Sequence, residues 1–303
     1  MKHAFLILAH HDIEHLCKLI NALDSSYSSF YIHWDKKQEN KMFASPYYNV
    51  IKNKYNVHFV DNLNVYWGGV NMVKATILLL KEAFNDPEIG YFHLLSGDDY
   101  PIKSFEYIRN FFNNNDHNYL TYIPEECNLN YFFNRYYFYD NKYMDVRGVK
   151  NGLKGYIIYH FLLFIQRITW LLVQKLGLHI RKNIGLKYYH GSQWFSFTRD
   201  AVFYILQRIT IEPDILRRFE HTAVSDESFF IMLMMDSSNL LKTIVNNDLR
   251  LRMSNGTLNR GGYVLSEKDF DRIIKSNALF GRKFRTGISN ELISHINEKI
   301  LFI

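Results

Sequence analysis

KHAFLILAHHDIEHLCKLINALDSSYSSFYIHWD, residues 2–35, carries the pattern from which the fold can be read. Residues 2–9 form a largely apolar run of strand length. Residues 12–23 then place Ile13, Leu16, Cys17, Ile20 and Leu23 at helical spacing, and 29–34 is a second short β-rich run. The stretch therefore predicts a β-α-β unit. The alternation continues with a strand at 57–60, a helix over 71–84, a strand at 91–95, a helix near 105–112 and a strand at 119–122. Strands alternating with helices imply a largely parallel sheet covered on both faces. Ligands of such sheets bind beyond the carboxyl ends of the strands, and polar clusters follow three of them: His10-His11-Asp12, Asp35-Lys36-Lys37 and Ser96-Gly97-Asp98-Asp99.

The rhythm breaks over 124–189, where aromatic and basic residues crowd together. Within it, 156–178 is long enough to span a bilayer, but His160, Gln166, Arg167 and Gln174 interrupt it. The pattern predicts an amphipathic helix packed on the domain or lying in a membrane interface, with Lys150, Lys154, Arg181 and Lys182 nearby. A strand at 193–198, a helix from Arg199, a helix beginning near Asp226, a strand near 249–253 and helices at 266–276 and 290–299 complete the expectation. The whole chain, 1–303, is expected to form one catalytic domain: a nucleotide-binding half (1–123), the aromatic and basic insertion (124–189), and a half carrying the catalytic and diphosphate-binding groups (190–303).

The 303 residues, 48% of them hydrophobic, suffice for a buried core, and 17% aromatic content with only 5 Pro argues against long disordered linkers. Cys17 and Cys127 lack metal or CxxC spacing and read as thiols of a reducing compartment. The start MKHAFLILAHHD does not have the order of a secretory signal, so a cytoplasmic protein is expected. A net charge of +6 favours anionic partners, among them nucleotide phosphates, acidic lipid and nucleic acid.

Seven pieces of the sequence, LILAHHD, YIHWDKK, VYWGGVNMVKA, HLLSGDDYPIKS, YHGSQWFSFTRDA, VSDESFF and ALFGRKF, stand between Phe5 and Phe284. In these pieces and their order the chain resembles the core-2/I-branching β-1,6-N-acetylglucosaminyltransferase family, which includes the peptide xylosyltransferases. The resemblance implies a GT-A fold, a Rossmann-like mixed sheet with helices on both faces. It also implies a UDP-sugar donor, inversion at the anomeric carbon, no metal ion and no other cofactor. A bacterial-type cytoplasmic version, without the animal members' disulfide-rich lumenal features and membrane anchor, is expected.

The resemblance also assigns residues. Glu227 matches the family's general base. Its alternative role is to complement, with Asp226, the dipole of a helix capped by Ser225. A helix N-terminus would also keep Glu227 ionised. Arg260 and Lys283 match the two positions that neutralise the departing diphosphate. Asp35 is placed to meet the uracil or ribose, or to cap the next turn, and His10 belongs to the same nucleotide end. Trp67 and Gly68, in a tight loop, and Asp99, Gln193 and Trp194 are expected around the sugar, the last two after a Gly-Ser turn; an Asx turn before Pro101 is the alternative for Asp99, and a place in the buried core the alternative for Trp194. Arg135 corresponds to an acceptor-side arginine. The family often has Trp where Met253 stands, which leaves the acceptor open. A zinc site built from His10, His11, Asp12 and His15 is disfavoured by its spacing and by a similar His pair, without metal, in the family. Asp269-Phe270-Asp271 reads as helix surface. The expected activity is transfer of N-acetylglucosamine from UDP-GlcNAc to a hydroxyl of a glycan or a lipid-linked saccharide, at the inner face of a bacterial membrane. Alternatives are another UDP-sugar, such as a xylosyl donor, or a basic membrane-surface or nucleic-acid-binding protein without catalysis; the ordered motifs favour the enzyme and no nucleic-acid partner.

Overall fold

Strand β1 (Lys2–Ala9) is the hub of the chain, buried along nearly its whole length. Its pleat divides the core. Ala4, Leu6 and Leu8 enter one apolar cluster, while Phe5, Ile7 and Ala9 enter another on the opposite face. An unbroken apolar run is what a strand covered on both faces requires, and truncating Leu6 to Ala would cost about 2–5 kcal/mol. The structure, a computed structural model, describes residues 1–123, 133–144, 152–176, 181, 184–253 and 262–302.

Strands β2 (Ser28–Trp34), β3 (Val57–Phe59), β4 (Ile89–Ser96), β6 (Asn118–Tyr122), β7 (Gly191–Thr198) and β8 (Ile244–Asn246) join β1 in a sheet ordered β3-β2-β1-β4-β7-β6-β8. A three-stranded sheet, β5 (Asp99–Pro101), β10 (Phe280–Arg282) and β9 (Arg250–Arg252), stands beside it. Helix α1 (Ile13–Leu23) covers one face with Leu16, Ile20 and Leu23, the positions its spacing predicts. Helix α4 (Asn71–Phe84) covers the other with Val73, Ile77 and Leu80. Between these lie α2 (Glu39–Phe43) and α3 (Pro46–Lys52). Then come α5 (Phe105–Phe112), α6 (Gly152–Leu176), α7 (Arg199–Ile211), α8 (Pro213–Phe219), α9 (Phe229–Asp236), α10 (Ser238–Leu241), α11 (Phe270–Lys275) and α12 (Asn290–Ile296). This is the Rossmann-like mixed sheet with helices on both faces that the sequence predicts.

The two sheets are tied by a buried cation. The Arg250 guanidinium donates to the carbonyls of Leu94 (2.9 Å) and Phe195 (2.8 Å) and to Ser196 Oγ (3.0 Å). Ser196 Oγ also lies 2.9 Å from His93, which meets His3 at 3.0 Å. Burial pushes the His3 pKa down to about 4 and that of His93 well below its ordinary value, so this chain is neutral imidazole near pH 7.

Several expectations change. Strand β7 is antiparallel to both β4 and β6, because the chain re-enters from its excursion at the carboxyl edge, where Gly191 pairs with Tyr122. Gly191 and Ser192 belong to this strand and form no turn; a Cβ at Gly191 would lie 2.0 Å from the Thr121 carbonyl oxygen, so only glycine fits. The expected helix from Asp226 divides into a 3₁₀ turn, Ser225–Glu227, and α9 from Phe229. The helix expected over 266–276 likewise divides, with Asp269 completing a capping box at its start. Helix α6 presents its apolar side outward. Lys150, Cys127 and Lys182 lie outside the described residues.

Candidate active site

A cleft of about 170 Å³ opens where the carboxyl ends of β1, β2 and β4 meet the start of β7 and the end of β10. His10, Asp35, Trp67, Gln193, Trp194 and Lys283, all singled out in the sequence, line it together. His33, Asp98 and Arg282 line it as well, and sequence reasoning gave neither His33 nor Arg282 a role.

Just beyond β2, Asp35 is buried and does the turn-capping work allowed for it. One carboxylate oxygen accepts from the N–H groups of Lys37 (3.1 Å) and Val65 (3.4 Å), and the other lies 3.3 Å from Lys37 Nζ. The Lys37 ammonium also sits 4.1 Å above the Tyr66 ring. His33 Nε2 accepts the N–H of Leu63 at 2.9 Å, which puts the proton on Nδ1, and burial lowers its pKa to about 4. These bonds pin the chain from Leu63 to Trp67 against the end of β2.

Asp99 does not reach the cleft. It is fully buried, accepts the Ser96 N–H at 3.0 Å, and lies 3.5 Å from Arg282. The physical reason is register: β5 and β10 pair Asp99 with Arg282, so the guanidinium stands between the carboxylate and the opening. Burial raises the Asp99 pKa, and the Arg282 charge opposes the rise. The other face of Arg282 lies 4.0 Å from the centre of the Trp194 ring, so Trp194 is packed in the core and also forms part of the cleft wall. Asp98 does reach the cleft, with His11 at 3.3 Å.

Lys283 follows directly. Its stem lies along Gly262, where a Cβ would come within 3.3 Å of Lys283 Cε. Its N–H donates to Tyr263 (3.2 Å), and its carbonyl accepts from Leu265 (2.7 Å). Residues 262–265 are therefore zipped beside the ammonium, while Arg260, just upstream, lies outside the described residues.

Glu227 does not line the cleft. Val224, in the left-handed region, donates its N–H to the Gly68 carbonyl at 2.9 Å, which docks the Ser225–Glu227 turn on the loop carrying Trp67. Ser225 does not cap: its hydroxyl donates to the carbonyls of Phe219 (3.1 Å) and Thr222 (2.9 Å). Nor is Glu227 held ionised. Burial, reinforced by the adjacent Asp226 and opposed by Arg252, raises its pKa from 4.5 to about 7. Burial raises Asp226 to about 6. His190 Nε2 lies 3.3 Å from Glu227 Oε2, and its Nδ1 lies 3.4 Å from Ser228 Oγ. Burial lowers the His190 pKa, which keeps the ring neutral, so the pair consists of a carboxyl titrating near neutrality and an imidazole. Sequence reasoning missed His190, although it is the second residue of the motif containing Gln193 and Trp194.

Gly68 adopts φ +76°, and its neighbour Gly69 leaves room for Asp140. The Asp140 carboxylate accepts the N–H groups of Val70 (2.7 Å) and Asn71 (3.3 Å), capping α4 from a distant segment in place of a cap of its own. Tyr139 comes with it, its ring centre 6.5 Å from that of Trp67. Arg135, from the same segment, is not in the cleft. It lines a separate hollow with Leu163, Arg167, Trp170 and Leu171 of α6, because α6 packs over this end of the segment.

The residues considered for zinc diverge. The Asp12 carboxylate caps α1 through His15 N–H (3.0 Å) and accepts from the N–H (2.9 Å) and hydroxyl (2.8 Å) of Thr286. His15 is buried with Nε2 3.0 Å from the Asp99 carbonyl oxygen. Among the described residues, no cluster of three or more His, Cys, Asp or Glu side chains is arranged to hold a metal.

The chain is 28% identical over 119 residues to the β-glucuronosyltransferase GlcAT14B of Arabidopsis thaliana; the match takes in 39% of this chain and 27% of the length of that relative. The solved apo structure of mouse xyloside xylosyltransferase 1 superposes over 93% of this chain and 97% of that one, at 8% identity and a TM-score of 0.37. The sequence model of the Core-2/I-Branching enzymes matches residues 3–273, nearly the full length and all but one of the seven motifs, and the chain belongs to that family.

Proposed function

We propose that this chain is an inverting glycosyltransferase that passes a sugar, N-acetylglucosamine from UDP-GlcNAc, to a glycan hydroxyl and meets the leaving UDP with side-chain cations in place of a divalent ion. The observation that carries this is a cleft lined by two cations, Arg282 and Lys283, with Glu227, pKa about 7, on a turn docked to the loop that bears Trp67. The acceptor oxygen attacks the anomeric carbon and its proton passes to Glu227, while the bond from that carbon to the β-phosphate oxygen breaks and its electron pair leaves on UDP. Lys283, with Arg260, neutralises the diphosphate. Asp35 and His10 hold the nucleoside, and Trp194 with Gln193 offers a face and an amide to the sugar. The role given to Asp99 passes to Arg282, which Asp99 holds in place from behind. The carboxylates nearest the cleft already have partners: Asp35 caps its turn, and Asp98 lies against His11. This supports a site that works through its cations.

The protein is placed in the cytoplasm, where nucleotide sugars are plentiful, with the acceptor a glycan or a lipid-linked saccharide. Two measurements in excess EDTA test the proposal. UDP should raise the unfolding temperature while an oligonucleotide does not, and a screen of UDP-sugars should find donor hydrolysis, strongest with UDP-GlcNAc. Activity lost in EDTA and restored by Mn²⁺ would refute the metal-free site, and a preference for another UDP-sugar would overturn the assigned donor.

A further inference from the structure

Of the 25 described residues of α6, only Gly155 and Gln166 are buried. Leu153, Ile157, Phe161, Phe164, Ile168, Leu171 and Leu172 recur at helical spacing along one side, and all are exposed, Leu153 at 77% and Phe161 at 59%. The opposite side, with Gly155 and Gln166, faces the body. An apolar ridge of this length is far larger than the scattered apolar residues of an ordinary surface.

Along the chain on either side of α6 the charge is of one sign. Between residues 146 and 199 the chain contains no Asp or Glu. Lys154, Arg167 and Lys175 are exposed on α6 itself, and Lys142 and Lys187 are exposed on the segments to either side. Two copies packed ridge to ridge would bring these cations together, whereas an anionic lipid surface would neutralise them while its acyl region takes up the ridge.

The helix is also long enough to cross a bilayer, about 37 Å at 1.5 Å per residue. Its attachments require it to lie flat. The segments before and after it pack on one body: the rings of Phe133 and Tyr188 stack at 4.2 Å, and Arg181 donates to the carbonyls of Arg135 (3.2 Å) and His221 (2.7 Å). Arg181 is five residues beyond Leu176, a reach of at most about 17 Å. The middle of the helix meets Arg135 across the hollow bounded by Leu163 and Leu171, so a spanning helix would carry that arginine and its segment into hydrocarbon.

We infer that α6 docks the enzyme on an anionic membrane, lying in the interface with its Leu153–Phe161–Phe164–Leu172 ridge in the lipid and its lysines at the headgroups. The segment bearing Arg135 also supplies the Asp140 cap and Tyr139 beside Trp67, so the docked face and the cleft wall share one strap.

Flotation of the full chain with phosphatidylcholine vesicles, with and without one-third phosphatidylglycerol, tests this at low and high salt. The chain should float with the anionic vesicles at low salt, at least about tenfold more than with neutral ones, and be released by salt. Replacing Phe161, Phe164 and Leu172 together with Ser should lower flotation at least about tenfold without changing the unfolding temperature. Lys154→Glu with Lys175→Glu should abolish the anionic preference even if the first variant folds poorly. No flotation, equal flotation on neutral lipid, or a dimer in light scattering that the Ser variant converts to monomer would each overturn the proposal. UDP binding by the variants reports separately on the cleft.

Discussion

The cations of the cleft and the turn that bears Glu227 handle charge in opposite ways. At Arg282 and Lys283, fixed cations are held by what lies behind them: Asp99 and the Trp194 ring for Arg282, and the backbone of Tyr263 and Leu265 beside Lys283. At Glu227, burial and a neighbouring carboxyl make ionisation costly, so the proton is loosely poised. A permanent cation suits a phosphate that gains charge; a carboxylate near its pKa suits a hydroxyl that must lose a proton. Each can be broken separately.

The largest effect is expected at Glu227. Glu227→Gln should bind UDP normally and lose about two to four orders of magnitude in turnover. In the unaltered enzyme, kcat/KM should fall about tenfold per pH unit below the pKa of about 7, because protonation removes the base. Stability should run the other way. The folded pKa stands above the ordinary 4.5, so ionising Glu227 opposes folding, and that opposition grows from pH 4.5 until it is complete above about 7. The unfolding temperature of Glu227→Gln, relative to the parent, should therefore rise between pH 5 and pH 8, measured by scanning calorimetry. Near-parental turnover in the variant would move the base to Asp226.

Arg282→Ala should come next, because it removes the nearer of the two cations, Arg282 and Arg250, that offset the burial of Asp99. Breaking a buried ion pair costs about 3–5 kcal/mol, readable by urea unfolding, and Arg282→Ala with Asp99→Asn should recover part of it. Unchanged stability would show that Asp99 is carried by Ser96 and Arg250 alone. Lys283→Ala should weaken UDP about ten- to a hundredfold by calorimetric titration, while UMP, lacking the second phosphate, changes little. Lys283→Arg should also fail, since the stem is fitted along Gly262. Equal losses for UDP and UMP would place Lys283 on the nucleoside instead. The smallest effect is expected at His190. Removing the imidazole 3.3 Å from Glu227 should move the acid limb of the pH profile upward and cost about threefold at pH 7, with His190→Gln retaining more than His190→Ala. A limb that stays in place would make His190 a packing residue.

Much of the cleft lining was legible because motifs at strand ends have a fixed destination in an α/β sheet. His10 follows β1, Asp35 follows β2 and Trp194 lies in the first half of β7, and all three line the cleft. Asp99 and Arg282 were misjudged for a common reason. Their roles follow from β5–β10 pairing between distant parts of the chain, which no local pattern encodes. Arg135 was misplaced because its segment serves α6 and α4 at once.

By itself, the sequence determined the order of strands and helices and the inward positions of β1, α1 and α4, because apolar periodicity is a local property that burial then obeys. It also determined the family, through motifs whose order survives any local ambiguity. Only the tertiary structure decided the direction of β7, the titration of Glu227 near neutrality, the placing of Arg282 before Asp99, and the outward turn of the apolar side of α6. Each depends on which surfaces meet, and desolvation and charge pairing act across space without regard to distance along the chain.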